Sequence, residues 1–106
     1  MARTEKQRKA DAQEKRWADL TNGSVRKGSG SGWRLPQDVL SGNFLWSCKG
    51  TDAASMSIKR DWWEDVRESA AQEGIRPGMH LEIRGGGRTR RLVVIDEDAF
   101  LEFIGT

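Results

Sequence analysis

A short apolar and aromatic run at residues 43–48, Asn-Phe-Leu-Trp-Ser-Cys, constrains the fold of this chain more than any other segment. Its length and its aromatic content are typical of a β-strand. Because the run is so apolar, we expect it to be a central strand of a sheet. The preceding Ser41-Gly42-Asn43 is a plausible hairpin turn and predicts a second strand at residues 37–41.

A helix is predicted at residues 58–73, where Ile58, Trp62, Val66 and Ala70 recur every four residues as one core-facing stripe. Residues 12–20 predict an earlier helix, 79–84 and 90–95 two further strands, and 97–103 a short closing helix. This order predicts an α/β fold, a small mixed β-sheet flanked by helices.

The length of 106 residues suits one domain. Residues 1–11 are polar and predict a flexible basic N-terminal tail, followed by a single domain at residues 12–106. Cys48 is the only cysteine, and no segment has the length or apolar character of a signal peptide or a membrane span. We therefore expect a cytoplasmic protein without membrane association.

Basic residues are clustered although the formal net charge is only +2. One group lies within residues 1–16, and the other consists of Arg84, Arg88, Arg90 and Arg91. Local basic patches attract phosphate groups even on a nearly neutral protein. The alternative is that these charges serve only solubility.

Asp38, Ser47 and Lys49 are candidates for chemistry. Side chains two apart on a strand point to the same face, so Ser47 and Lys49 project together and Asp38 can lie beside them across the hairpin. A carboxylate can hold a divalent metal that polarises a phosphate, and a lysine can stabilise the charge that develops on it. The alternative is a structural Asp–Lys pair at a strand end.

The order of these features resembles the PD-(D/E)xK nuclease superfamily, in particular the Holliday junction resolvases of phages and archaea. The resemblance runs over residues 14–103 and has several ordered parts. They are Glu14 in the first helix, the Gly-Ser loop at 28–32, Asp38-Val39, Cys48-Lys49-Gly50-Thr51, the segment from Ser55 to Ile58, and Ala71, Gly74 and Pro77.

The resemblance implies a restriction endonuclease-like core and a Mg²⁺- or Mn²⁺-dependent endodeoxyribonuclease that acts on branched DNA as a homodimer. It implies metal ligands at Asp38, position 47, the Cys48 carbonyl and Glu14, with Lys49 as the catalytic lysine. No organic cofactor is expected, and a phage-encoded protein would act in the host cytoplasm. Expected DNA contacts come from the Gly-Ser loop and the basic residues, namely Lys27, Ser29, Ser31, Arg34, Arg88 and Arg90.

Ser47 departs from the family pattern, which has Glu or Asp at this position. A hydroxyl is a poorer ligand for a hard cation than a carboxylate. Three explanations remain open: an inactive nuclease fold that only binds DNA or a protein, a compensating helix carboxylate, or a deliberate Glu-to-Ser change. The candidate carboxylates are Asp61, Glu64 and Asp65.

Overall fold

The computed structural model describes residues 4–26 and 38–106. Within these residues, three helices and five strands follow one another as α1 (Glu5–Leu20), β1 (Ser24–Arg26), β2 (Asp38–Ser41), β3 (Phe44–Thr51), α2 (Arg60–Gln72), β4 (Arg76–Ile83), β5 (Arg90–Ile95) and α3 (Glu97–Phe103). In the described part of the chain, no helix is both long enough and apolar enough to cross a bilayer.

The five strands form one mixed sheet in the order β1-β2-β3-β4-β5. β3 and β4 are parallel, and every other neighbouring pair is antiparallel. α2 makes the crossover that a parallel pair requires. The predicted α/β fold with a small mixed sheet is therefore confirmed, and the apolar run at residues 43–48 forms most of its middle strand.

Alternate residues of β3 face two different helical layers. On one side Leu45 and Met79 pack in a buried cluster with Val66 and Ala70 of α2. On the other side Trp46 and Cys48 lie in a second buried cluster, which contains Ala18 of α1. The middle strand is thus covered on both faces.

The first helix is longer than its sequence pattern predicts. It begins at Glu5 rather than at residue 12, so residues 5–11 are helical. A reciprocal capping box fixes this start, because Thr4 accepts a hydrogen bond from the Gln7 backbone and the Gln7 side chain bonds back to Thr4. The polar segment lacks an apolar stripe, which is why hydrophobic periodicity missed it.

The second helix begins at Arg60, so Ile58 precedes it and is 52% exposed instead of buried in the stripe. Val66 and Ala70 are buried as predicted, and Trp62 is partly buried against the same cluster. Gly74 ends the helix with a φ of +69°, and the Ile75 N–H bonds to the Ala70 carbonyl at 3.0 Å. This is the glycine-based helix end that the sequence indicates.

The β2–β3 hairpin turns through Gly42 and Asn43, with Gly42 at a φ of +56°. A two-residue loop fixes the strand register, which pairs Ser41 with Phe44 and Asp38 with Ser47. The predicted hairpin is confirmed. β5 and α3 also match their predicted ranges, whereas β4 begins at Arg76 rather than at residue 79.

Candidate functional site

The candidate site begins with the register of the β2–β3 hairpin. Asp38 stands directly opposite Ser47, so their side chains leave the same face of the sheet. Lys49 lies two residues beyond Ser47 on the same strand and shares that face. Ser47 is 1% exposed and Asp38 is 9% exposed, whereas Lys49 is half-buried. The sheet therefore brings the three predicted residues to one face.

Lys49 is held against α2 by an aromatic ring. Its Nζ atom lies 4.9 Å from the centroid of the Trp62 ring, a cation–π distance. Burial lowers the pKa of Lys49, and the negative charges of Asp38 and Asp65 oppose that shift. The ammonium group is thus partly removed from water but keeps an aromatic face and two carboxylates around it.

Asp65 is the α2 carboxylate that the electrostatics link to Lys49. It follows Trp62 by three residues, so the two side chains are neighbours on the helix surface. Glu64 instead accepts a hydrogen bond from Arg67 Nε at 3.0 Å. For Asp61, the other acidic candidate, the structure shows no link to Lys49. Of the three helix carboxylates weighed from the sequence, Asp65 therefore fits the site best.

Glu14 approaches β3 from the opposite helical layer. It is 3% exposed on α1, and its charge is among those acting on Cys48. Burial is the largest cause that raises the pKa of the Cys48 thiol, followed by the charges of Glu14 and Asp38. Cys48 therefore stays a neutral, buried thiol. Cys48 nevertheless lies near enough to Glu14 and Asp38, the two predicted carboxylate ligands, for both charges to act on its thiol.

Gln13 is a site residue that the sequence did not reveal. Its Nε2 atom donates to the Lys49 carbonyl at 3.0 Å and to the His80 carbonyl at 3.2 Å. The same amide lies 2.9 Å from Nδ1 of His80. These contacts fasten α1 to β3 and β4 beside the lysine. The sequence offers one signal for it: Gln13 precedes Trp17 by four residues, one helical turn, so its side chain is expected on the same side of α1 as that aromatic ring.

His80 is a buried, neutral partner in this network. Burial lowers its pKa to about 4, with smaller contributions in the same direction from the nearby positive charges of Arg16 and Arg91. A neutral ring can accept a hydrogen bond at Nδ1, which matches the 2.9 Å approach of the Gln13 amide. The histidine therefore has a structural role, since its contact with Gln13 joins α1 to β4.

Part of the second basic group is engaged by carboxylates. Arg84 donates from Nη1 to Glu82 at 2.6 Å and from Nε to Asp52 at 2.7 Å, and Arg91 donates to Glu82 at 3.0 Å. Although burial raises the pKa of Glu82, these hydrogen bonds hold it below its usual range. Arg84 and Arg91 thus contribute to an ion network at the sheet end.

Two of the predicted DNA contacts lie on the described surface, since Arg88 and Arg90 are exposed at the β4–β5 turn and the start of β5. The other four lie outside the described residues, namely Lys27, Ser29, Ser31 and Arg34. The Gly-Ser loop at residues 28–32 lies outside them as well.

Within residues 4–26 and 38–106, no three or more His, Cys, Asp or Glu side chains form a group that could hold a metal ion. Ser47, which lies opposite Asp38, offers a hydroxyl oxygen and no carboxylate. The remaining donors are oxygen atoms, which are the ligands that Mg²⁺ and Mn²⁺ prefer.

Comparisons with known proteins give no independent assignment. No protein-family model matches the chain, and neither a curated protein nor a solved structure matches it significantly. The fold defines a small mixed α/β domain, and the function has to be argued from the site itself.

Proposed function

We propose that this protein is a metal-dependent endonuclease acting on branched DNA. The observation that carries the proposal is the placement of Asp38, Ser47 and Lys49 on one face of the central hairpin. A carboxylate and a lysine in this arrangement suit phosphodiester hydrolysis. The preference for branched DNA rests on the sequence resemblance to junction resolvases.

The proposed cation site is made of oxygen donors around the end of β3. The Asp38 carboxylate, the Ser47 hydroxyl and the Cys48 carbonyl would hold a Mg²⁺ or Mn²⁺ ion. Glu14, the fourth ligand that the resemblance implies, lies on the α1 side of the sheet and is not part of this proposed set. Hard oxygen donors fit these cations. When bound, the cation would supply positive charge to the phosphate oxygens and acidify a coordinated water.

Lys49 is the residue that we assign to the phosphate. Its ammonium group lies over the Trp62 ring, where the charges of Asp38 and Asp65 act on it, and from there it would stabilise new negative charge on a phosphate. Gln13 supports this position by bonding to the Lys49 carbonyl at 3.0 Å. Asp65 is the proposed substitute for the carboxylate missing at position 47.

A second candidate function is a nuclease-fold module that binds DNA or a protein without cleaving it. Ser47 favours this alternative, because a hydroxyl holds a divalent cation less well than the carboxylate of the family pattern.

Cleavage of a labelled synthetic four-way junction in Mg²⁺ or Mn²⁺ tests the proposal. We expect cleavage by the wild-type protein and at least a roughly hundredfold slower rate for Lys49→Ala, since a charge that stabilises the transition state is lost. Lys59→Ala is a matched control, because Lys59 also lies near the Trp62 ring, 5.7 Å from its centroid, but outside the sheet. We expect this control to cleave within about threefold of the wild type, as is usual for exposed substitutions.

The same assay separates the two candidates. Tight junction binding without cleavage in either cation would support the non-catalytic module and contradict the nuclease. Cleavage that Lys49→Ala leaves unchanged would also contradict the proposed site. A linear duplex of the same sequences serves as the comparison substrate for the branched-DNA preference.

A further inference from the structure

Two basic side chains from different parts of the fold converge on the carboxylate of Asp52. Lys9 of α1 donates from Nζ to both carboxylate oxygens at 3.0 Å. Arg84, which follows β4, donates from Nε to one of them at 2.7 Å. Hydrogen bonds from Arg84 and Lys9 hold the pKa of Asp52 below its usual range, so the carboxylate is charged at neutral pH. An ammonium and a guanidinium that point at one pair of oxygen atoms are also a suitable site for a phosphate group.

The carboxylate is the most exposed member of this set. The Asp52 side chain is 63% exposed, against 34% for Lys9 and 19% for Arg84. Arg84 has a second anchor, because its Nη1 atom donates to Glu82 at 2.6 Å and the Glu82 side chain is buried. If Asp52 turned away, Arg84 would therefore keep its place, and its Nε–H would be free to bind another anion.

Gly50 gives the guanidinium of Arg84 its place. A Cβ atom at Gly50 would lie 2.7 Å from Nη1 and 3.1 Å from Nη2 of Arg84. The guanidinium thus lies against the backbone of β3, at the residue that follows Lys49. The basic groups that hold Asp52 are therefore fixed next to the strand segment that carries the proposed catalytic lysine.

The same end of the sheet carries exposed arginines. The register places Thr51, the last residue of β3, beside Ile83, and Ile83 beside Arg90. Arg88 is exposed in the turn between β4 and β5. Asp52 follows Thr51 directly, so a polyanion lying along this end of the sheet would pass the carboxylate as well as both arginines.

We propose that Lys9 and Arg84 bind one phosphate of the DNA backbone, and that the Asp52 carboxylate occupies this position in the DNA-free protein. The phosphate displaces the carboxylate and accepts from the same N–H groups. The exchange costs little, because ion pairs of an exposed carboxylate contribute little to stability. Asp52 thereby acts as a built-in competitor, which a backbone that makes several phosphate contacts overcomes more readily than a single free phosphate does. The inference rests on the proposed function for the source of the phosphate.

Binding of a labelled duplex and a labelled four-way junction, measured by fluorescence anisotropy in chelator, tests this site without cleavage. Asp52→Asn removes the competitor, and we expect the dissociation constant to fall about five- to tenfold, since the free site is then fully populated. Glu102→Gln is the matched control. It removes the same charge from an equally exposed pair, Glu102 with Arg76, at the opposite end of the sheet. We expect the control to change affinity by less than about twofold.

Lys9→Gln tests the cationic side of the site. We expect weaker DNA binding and a salt dependence whose slope falls by about one, as for the loss of one phosphate contact. Arg76→Gln, the same charge change at the other end of the sheet, should keep the slope. In the Lys9→Gln background, Asp52→Asn should tighten binding less than about twofold, because the carboxylate is then held less firmly and competes less. Circular dichroism checks that each variant keeps its fold.

The ¹⁵N-NMR signal of the Arg84 Nε–H group reports the site directly. We expect inorganic phosphate, titrated at constant ionic strength, to shift this signal in Asp52→Asn at about five- to tenfold lower concentration than in the wild type. Chloride at the same ionic strength is the control. If phosphate shifts the signal but Asp52→Asn leaves DNA affinity unchanged, the ligand is free phosphate, and the proposal for DNA is wrong.

A purely structural ion pair between α1 and the end of β3 makes the opposite prediction. It is supported, and the phosphate site overturned, if Asp52→Asn binds DNA no more tightly than Glu102→Gln, or if Lys9→Gln binds as well as Arg76→Gln. Either result leaves the outcome of the cleavage assay open. The expected binding pattern without junction cleavage would keep the phosphate site and contradict the nuclease. A protein with no DNA affinity in any variant would contradict both.

Discussion

Single residues of the site show how a partly buried charge is tolerated. Burial disfavours the Lys49 ammonium and lowers its pKa, and the Trp62 ring with the charges of Asp38 and Asp65 offsets that cost in part. Ser47 gives Asp38 a neutral neighbour directly across the hairpin. A carboxylate there would face Asp38 at close range and would need a cation or a proton to be stable. The serine therefore suits a hairpin that must also fold without metal.

The stability of Ser47→Glu tests whether a carboxylate opposite Asp38 needs a cation. Without divalent cation, we expect the variant to be about 1–3 kcal/mol less stable than the wild type, because a buried carboxylate faces Asp38. Mn²⁺ should raise its unfolding temperature more than that of the wild type. Thermal unfolding in chelator and in Mn²⁺ measures both effects.

Ser47→Gln is the control for size, since it adds a similar volume without charge. If Mn²⁺ stabilises Ser47→Gln as much as Ser47→Glu, position 47 does not face the cation site. If Ser47→Glu also cleaves junctions faster than the wild type, the missing ligand limits the activity.

His80 predicts a distinct pH dependence of stability. Its pKa falls from 6.5 to about 4 on folding, so between these values the unfolded chain binds more protons than the folded protein. The stability that comes from burying a neutral His80 ring is fully present above pH 6.5 and is lost as the pH falls towards 4. From pH 7 to 5 we expect a loss of about 2 kcal/mol.

Denaturant unfolding at several pH values between 7 and 5 measures this loss, in a range where ordinary carboxylates stay mostly charged. His80→Gln removes the titrating ring, so its stability should change less over the same range. If the free energy of unfolding falls equally with pH in the wild type and in His80→Gln, His80 does not titrate in this way.

At the scale of elements, alternation and turn chemistry account for the predictable part of the fold. The β2–β3 hairpin, the β5 strand and the glycine end of α2 follow from local patterns, because each is fixed by a few neighbouring residues. The start of α1 was missed because capping by Thr4 and Gln7, not an apolar stripe, determines it. Ile58 was misassigned since helical spacing does not reveal where the helix begins.

The contact between β3 and β4 depends on a glycine. A Cβ atom at Gly78 would lie 2.4 Å from Cζ3 of the Trp46 ring. The ring has little room to move, because it stacks on Phe44 at 4.8 Å and meets Trp17 edge-on at 5.3 Å between centroids. The parallel pair therefore requires the absence of a side chain at this position.

Gly78→Ala should destabilise the protein by about 1–3 kcal/mol, the usual cost of overpacking a core. Denaturant unfolding measures the loss. Trp46→Leu supplies room, so the double variant should be more stable than the sum of the two single effects predicts. If the stability losses of the two single variants simply add in the double variant, a clash with the Trp46 ring is not the reason that position 78 must be glycine.

At the scale of the whole molecule, the site is assembled from both helical layers. α1 contributes Gln13 and Glu14 from one side of the sheet, and α2 contributes Trp62 and Asp65 from the other, all near the end of β3. The sequence indicated Asp38, Ser47 and Lys49 because strand alternation is local. It could not choose among Asp61, Glu64 and Asp65 or identify the contacts of Gln13, since both depend on how the helices pack.

The most direct test of the central claim is to locate a cation in crystals of the wild-type protein soaked with Mn²⁺. We predict an anomalous peak about 2.2 Å from a carboxylate oxygen of Asp38, the usual distance for such ligands, beside the Cys48 carbonyl. Asp38→Asn should lose the peak while the sheet register is kept. A wild-type crystal at saturating Mn²⁺ with no peak at Asp38 would contradict the account.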